Sequence, residues 1–305
     1  MIRTLFAAQQ KVPAAAPLLQ SEVDPTPDSQ REDRRMTEPL AVISAMKADA
    51  MEVQQVLSGL DATGWATPTP APGWTVTHQV AHLAATFQRA GLAASDPPAF
   101  AKIMEHANPD FDKEVETVMR PYLELPPGEL LVRWYDELTT AADALAAVPA
   151  GQDIPWLVNP LPPAVLASGG MMELFAHGQD IADALGTPIE RTDRIAPLVG
   201  FVVHTRHFGY LAREMTPPDD DFRFEVTAPS GTLWTFGPED AAQRIEGPAL
   251  DLCLLAARRR HHRDLSLVAT GKHATRWLDV AQAYRGPTGA GREPGQFTDA
   301  PGHRL

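Results

Sequence analysis

The stretch Met171-Met172-Glu173-Leu174-Phe175-Ala176-His177-Gly178-Gln179-Asp180 decides how the rest of the chain is read. At 100° per residue, Glu173, His177 and Asp180 fall within about 60° of one another on one helical face. Leu174, Ile181 and Leu185 make the flanking face apolar, as are most of the residues before them, so the pattern predicts a largely buried helix over 163–185. A buried carboxylate is expensive unless it is paired or bound to a cation. Glu and His one turn apart are well placed to share a metal ion. The plainer alternative is a surface stripe, or an ordinary Glu–His hydrogen bond.

Upstream of this helix the same period recurs. Leu40, Ile43, Met46, Ala50, Val53, Leu57 and Leu60 repeat at three and four after Pro39, a residue suited to a first helical turn. A turn-rich loop (67–73) follows, with Trp65 and Trp74 on its shoulders, where they are expected to staple the loop. A second helix is expected from Thr75 or Thr77, whose hydroxyls can cap, to about Ala94. A weaker helix is expected over 111–123 and a strong one over 129–148, carrying Leu131, Trp134, Leu138, Ala142, Leu145 and Val148. Downstream, a further helix is expected over 195–213. Long helices with little strand signal before residue 215 define an up-and-down bundle.

After Met215-Thr216-Pro217-Pro218-Asp219-Asp220-Asp221 the period changes to two. Phe222, Phe224 and Val226 alternate with polar residues, Ser230-Gly231 makes a turn, and Thr232, Trp234 and Phe236 alternate again, a hairpin pattern. A short helix over 249–259, a strand over 265–268 and a helix over 273–284 complete a small α/β unit. The fold class is thus a four-helix bundle followed by a small α/β domain: an extension without structure over 1–35, a bundle over 36–215, the α/β domain over 216–285 and a Gly/Pro-rich tail without structure over 286–305. Met36 is an alternative natural start to Met1.

Composition narrows the chemistry. The 305 residues carry 26 Lys+Arg against 39 Asp+Glu, a formal charge of −13, which attracts neither phosphate backbones nor anionic lipid. Hydrophobic residues make up 44%, enough for a real core, yet no run approaches the roughly 18 apolar residues of a membrane span. The expectation is a cytoplasmic protein, monomer or homodimer, without nucleic-acid or membrane partners. The single cysteine, Cys253, excludes a disulfide scaffold and a Cys-rich zinc site, and among Leu252, Leu254 and Leu255 it reads as core.

Two ligands do not make a metal site, and His78, His82, His204 and His207 are the candidates for a third. His78 and His82 lie opposite the stripe of Val76, Val80, Leu83 and Phe87, a position open to a solvated face or to a second buried one. No glutamate of an HExxH motif lies between them, which removes a metalloprotease reading. His204 and His207, on an apolar helix, read as buried rather than ligating. The run Arg258-Arg259-Arg260-His261-His262-Arg263 reads either as a solvated helix end complementing the macrodipole or as an anion site. Asp180, one turn beyond His177, suits a residue that orients a ligand or binds substrate, and equally a helix-stabilising contact.

The segments Pro72-Gly73-Trp74-Thr75-Val76-Thr77-His78-Gln79-Val80-Ala81-His82-Leu83 and Glu173-xxx-His177-Gly178-Gln179-Asp180-Ile181-Ala182-Asp183-Ala184-Leu185-Gly186 resemble the metal-binding domain of the mycothiol-dependent maleylpyruvate isomerase family, a DinB-like four-helix bundle. The resemblance covers roughly residues 36–213, with a looser continuation from Gly247 to Gly271. It implies His82, Glu173 and His177 as metal ligands, leaves out His78, and makes Arg259 the nearest match to an arginine that holds the thiol cofactor or substrate. Two imidazoles and one carboxylate leave open positions on a divalent cation, zinc first, with nickel or iron also suited. A thiol bound there loses its proton and becomes a nucleophile. The resemblance therefore implies a metal-dependent isomerase or S-transferase with Arg259 as a catalytic and cofactor-binding residue, and the helical spacing adds Asp180 as a catalytic candidate. Its cofactor is mycothiol or another low-molecular-weight thiol, and its substrate a small electrophilic or unsaturated acid. The alternatives are a metal- or small-molecule-binding protein without catalysis, and a metal-water hydrolase with Asp180 as its only evident base.

Overall fold

The computed structural model describes residues 38–157 and 159–297, so the expected extension over 1–35 and the last residues of the expected tail lie outside the described residues. Four long helices form the bundle: α1 (Pro39–Ser58), α3 (Val76–Ser95), α6 (Pro127–Ala147) and α7 (Pro163–Leu185). Between them stand the single turn α2 (Ala62–Trp65), α4 (Pro97–Glu105) and α5 (Phe111–Leu123). Helix α1 packs against α6 and α7, and so does α3, which places α1 diagonally opposite α3. Val42, Met46, Val80, Leu83, Phe87, Trp134, Leu138, Met171 and Leu174 fill the space between them.

Helix α7 joins the two halves of the molecule. One face enters the bundle core, while Met172, Phe175 and Ala176 enter a second core built with α8 (Ala196–His204) and the C-terminal unit. That unit carries the strands β1 (Phe222–Thr227), β2 (Leu233–Phe236), β3 (Gln243–Pro248) and β4 (Val268–Thr270), in the order β2-β1-β3-β4. Strand β1 pairs antiparallel with β2, as the alternation predicts, and parallel with β3; β4 is antiparallel to β3. Helices α10 (Ala249–Ala256) and α11 (Lys272–Val280) pack on this sheet through Leu252 and Trp277.

Several elements differ from expectation. The helix expected over 195–213 breaks into α8 and the single turn α9 (Phe208–Leu211). The break falls at Thr205, Arg206 and His207, and just beyond it α9 packs tightly against the end of α11, where a Cβ at Gly209 would lie 1.8 Å from the Val280 carbonyl oxygen. The strand expected over 265–268 begins at Val268, because Ser266 donates its backbone N–H to Asp251 rather than to the sheet. Strand β3 was not expected at all, since Gln243, Arg244 and Glu246 mask its period, yet it occupies the centre of the sheet. Nor does the chain beyond Gly286 run free. Arg292 reaches inside to Asp180, the Gly295 N–H donates to Asp264, and Phe297 lies 4.1 Å from the Arg260 guanidinium.

Candidate metal centre

His82 on α3 and Glu173 and His177 on α7 converge across the bundle. Both imidazole Nε2 atoms face the same carboxylate oxygen, Glu173 Oε2, at 3.4 Å from His82 and 3.2 Å from His177. One ligand atom from each residue lies within 4.8 Å of the others, and this is the one such grouping among the described residues. The rings of His82 and His177 sit with centroids 4.5 Å apart. Burial alone would raise the Glu173 carboxyl, but the His177 and His82 imidazoles set against its Oε2 outweigh it and hold it well below the usual carboxylate range. Burial, with His82 beside it, pushes His177 down to about 4, so its imidazole is neutral at physiological pH. An anionic carboxylate beside a neutral imidazole is the protonation state a divalent cation requires. The His82 Nδ1 atom is buried without a partner.

A residue missed in the sequence fixes how His177 presents its nitrogen. Gln79 is fully buried, its Nε2 donates to Thr69 Oγ1 at 2.8 Å, and its Oε1 therefore faces His177 Nδ1. An oxygen acceptor there makes Nδ1 the protonated nitrogen and leaves the Nε2 lone pair free toward Glu173. The loop ahead of α3 builds this support. Thr69 bonds to the Trp74 carbonyl through both N–H (2.8 Å) and hydroxyl (3.0 Å), and the Thr77 hydroxyl donates to the Trp65 carbonyl. Trp74 then stacks on His177 at 5.9 Å and 20°. Trp74 thus does more than staple a loop: it walls the centre.

His78 has a different task. Its Nδ1 accepts from the Thr75 N–H at 3.3 Å and lies 2.9 Å from the Thr75 hydroxyl, closing the first turn of α3. It borders the same cavity but stands outside the His82–Glu173–His177 group. His204 borders the cavity too, whereas His207 does not.

Asp180 and the arginine run form the floor. Asp180 is fully buried; Arg259 Nη2 pairs with its Oδ2 at 2.9 Å and Arg292 donates to its Oδ1 at 2.6 Å. Arg259 also donates to the Ala176 carbonyl at 3.0 Å and the Ala257 carbonyl at 2.7 Å, and it borders the cavity, which Asp180 does not. Arg260 grips Asp183 through two bonds of 2.7 Å. The basic run is therefore no solvated helix end: Arg258 takes a left-handed conformation (φ 58°) that ends α10 and turns Arg259 and Arg260 inward.

The cavity beside the triad has a volume of about 1000 Å³ and is bordered by α3, α5, α7, α8 and the segment after α11. Arg285 borders it as well, with its guanidinium 4.6 Å from the Phe208 ring.

A His–Glu–His face held inside a helical bundle defines a class, and comparison with known proteins specifies it. Residues 46–182 match the family model described as the mycothiol maleylpyruvate isomerase N-terminal domain, and residues 218–270 match one described as wyosine base formation. Uncharacterized proteins from two strains of Mycobacterium tuberculosis, CDC 1551 / Oshkosh and H37Rv, are each 37% identical over 257 residues, covering 84% of this chain and 100% of theirs. The bundle therefore belongs to the mycothiol maleylpyruvate isomerase N-terminal domain family, and the chain as a whole belongs to one family with the two mycobacterial proteins. Crystal structures of mycothiol-dependent maleylpyruvate isomerase, in two forms of which one is a histidine-to-alanine mutant, align over 72% of this chain and 88% of theirs at 14% identity, with TM-scores of 0.47 and 0.48. No helix among the described residues is long and apolar enough to cross a membrane.

Proposed function

We propose that this protein is a metal-dependent enzyme that uses a low-molecular-weight thiol of the mycothiol type for isomerisation or S-transfer on an electrophilic or unsaturated acid. The observation that carries this reading is the convergence of two imidazole Nε2 atoms on one carboxylate oxygen at the edge of a cavity large enough for a thiol and a substrate together. His82, Glu173 and His177 would hold the cation, and three protein ligands leave room for a further one. Zinc suits two nitrogens and an oxygen. When bound, the cation lowers the pKa of a thiol beside it into the neutral range.

The chain's own residues supply orientation and charge. Gln79 sets the tautomer of His177. Trp74 covers one side of the imidazoles and keeps water from that face. Arg259, braced by Asp180 and two backbone carbonyls, and Arg285 both face the cavity as cations, which suits an acid substrate. A thiol held there would supply a nucleophile for reversible addition to the double bond of an unsaturated acid, which consumes no oxidant, or for displacement of a leaving group from an electrophile in S-transfer.

The hydrolase alternative loses support, because Asp180 is fully buried between two guanidinium groups and does not border the cavity. Asp180 is on this reading a positioning residue for Arg259. The test is turnover of unsaturated acids and aryl or alkyl electrophiles by the metal-loaded protein, followed by chromatography. Product that requires both thiol and metal, and is lost in H177A, supports the proposal. Metal binding without thiol-dependent product supports the non-catalytic alternative and contradicts it.

A further inference from the structure

The cavity continues well past the triad. Along α7, part-exposed residues on the cavity side recur at every fourth position, Val165, Gly169, Glu173 and His177, and their immediate neighbours are buried except for Gly170, which also borders the cavity. Beyond Glu173 this line runs eight residues toward the start of α7, roughly 12 Å at 1.5 Å per residue. Facing it are Thr86 of α3, Val115 and Val118 of α5, and Phe201 of α8. The single formal charge that α3 adds there, Arg89, is already bound to Glu114. A total volume of about 1000 Å³ is that of a pocket for a drug-sized ligand, far more than a small acid fills.

Two adjacent glycines on α7 separate packing from space. A Cβ at Gly170 would lie 2.8 Å from Met46 Sδ and 3.1 Å from Phe87, so the bundle itself requires glycine at that position. A Cβ at Gly169 would meet nothing nearer than the Phe201 ring at 3.8 Å. Alanine therefore fits at 169 and would favour the helix, since glycine in a helix interior is the less stable choice. What glycine provides at 169 is open floor, one turn from a metal ligand.

We propose that the cleft over Gly169 seats an apolar group, at least as large as a phenyl ring, carried by the electrophile, and that Gly169 determines this specificity. The inference rests on the thiol-and-metal reading above for the identity of the reacting partner, but the cleft itself is tested without it.

The first experiment titrates the cobalt-loaded protein with 2-phenylethanethiol and with 2-mercaptoethanol, reading the thiolate-to-cobalt absorption band. The expected preference for the phenyl compound is about tenfold or more, collapsing to about twofold or less in G169L. Where the thiols give the band, a preference that is absent in the wild type, or unchanged in G169L, overturns the proposal. The second experiment uses the metal-free protein and the neutral fluorescent probe N-phenyl-1-naphthylamine. Binding that is lost in G169L supports the cleft even if neither thiol gives a cobalt band, an outcome that would defeat the thiol reading alone; equal binding in both proteins overturns it. Should G169L fail to fold, G169A is expected to raise Tm and to weaken probe binding severalfold. A lower Tm in G169A would contradict the claim that packing leaves this position free.

Discussion

Three side chains would ligate the cation, and Gln79 is placed to make one of them competent. With Gln79 holding His177 Nδ1, its Nε2 lone pair faces Glu173 without choice of tautomer. Replacing Gln79 by leucine leaves that N–H unpaired and removes the donor that the Thr69 hydroxyl accepts from, and is expected to weaken metal affinity about 10- to 100-fold in chelator competition while His82, Glu173 and His177 remain. Unchanged affinity would remove Gln79 from the centre. H82A and H177A are each expected to lose stoichiometric metal. H78A is expected to keep it and to lose about 0.5–2 kcal/mol of stability, the usual cost of a helix cap, measurable by denaturant unfolding. The triad was legible because Glu173 and His177 share a face, and because the segment around His82 carries a recognisable pattern. Gln79 was not legible: its partner lies 98 residues away, and nothing in its neighbours signals a buried amide.

At the scale of elements, the arginines after α10 lock the two cores together. Arg259 and Arg292 share Asp180, and Arg260 takes Asp183, so the C-terminal half of α7 receives three guanidinium groups from residues 77 or more positions further along the chain than the acids they pair with. Removing the shared acid strands two charges inside. D180A is expected to destabilise the protein by about 3–5 kcal/mol, and R292A by less because Arg259 still neutralises Asp180; thermal unfolding of both variants would show it. Equal and negligible changes in Tm would contradict this account of the brace. The helices were readable from their period, and α5, α7 and the β1–β2 hairpin fall where the pattern placed them. Strand β3 was hidden by Gln243, Arg244 and Glu246, whose burial alternates only once β1 and β4 flank it. The inward turn of the arginine run was hidden for a related reason. Its acid partners lie on another helix, and the same six residues would read identically on an exposed helix end.

For the whole molecule, burial sets a pH limit. Burial is the main cause that pushes His177 and His207 down to about 4 from an ordinary value of 6.5. Between these values the unfolded chain takes up protons that the folded protein refuses, so stability rises with pH across that window. The metal-free protein is therefore expected to hold its full stability above about pH 6.5 and to lose it as the pH falls toward 4, seen as a falling Tm. A Tm that stays level from pH 7 to pH 4.5 would contradict this.

The centre and the two cores depend on one helix. Helix α7 gives Glu173 and His177 to the cavity, Leu174 to the bundle core and Phe175 to the second core, so the candidate metal site sits where the two halves meet. The most direct test of that centre is X-ray absorption at the zinc edge of the zinc-loaded protein, recorded before and after adding a thiol. A first shell of two imidazole nitrogens and light-atom oxygens is expected, joined on thiol addition by one sulfur at about 2.3 Å. A shell without histidine, or one that gains no sulfur at saturating thiol, would contradict it.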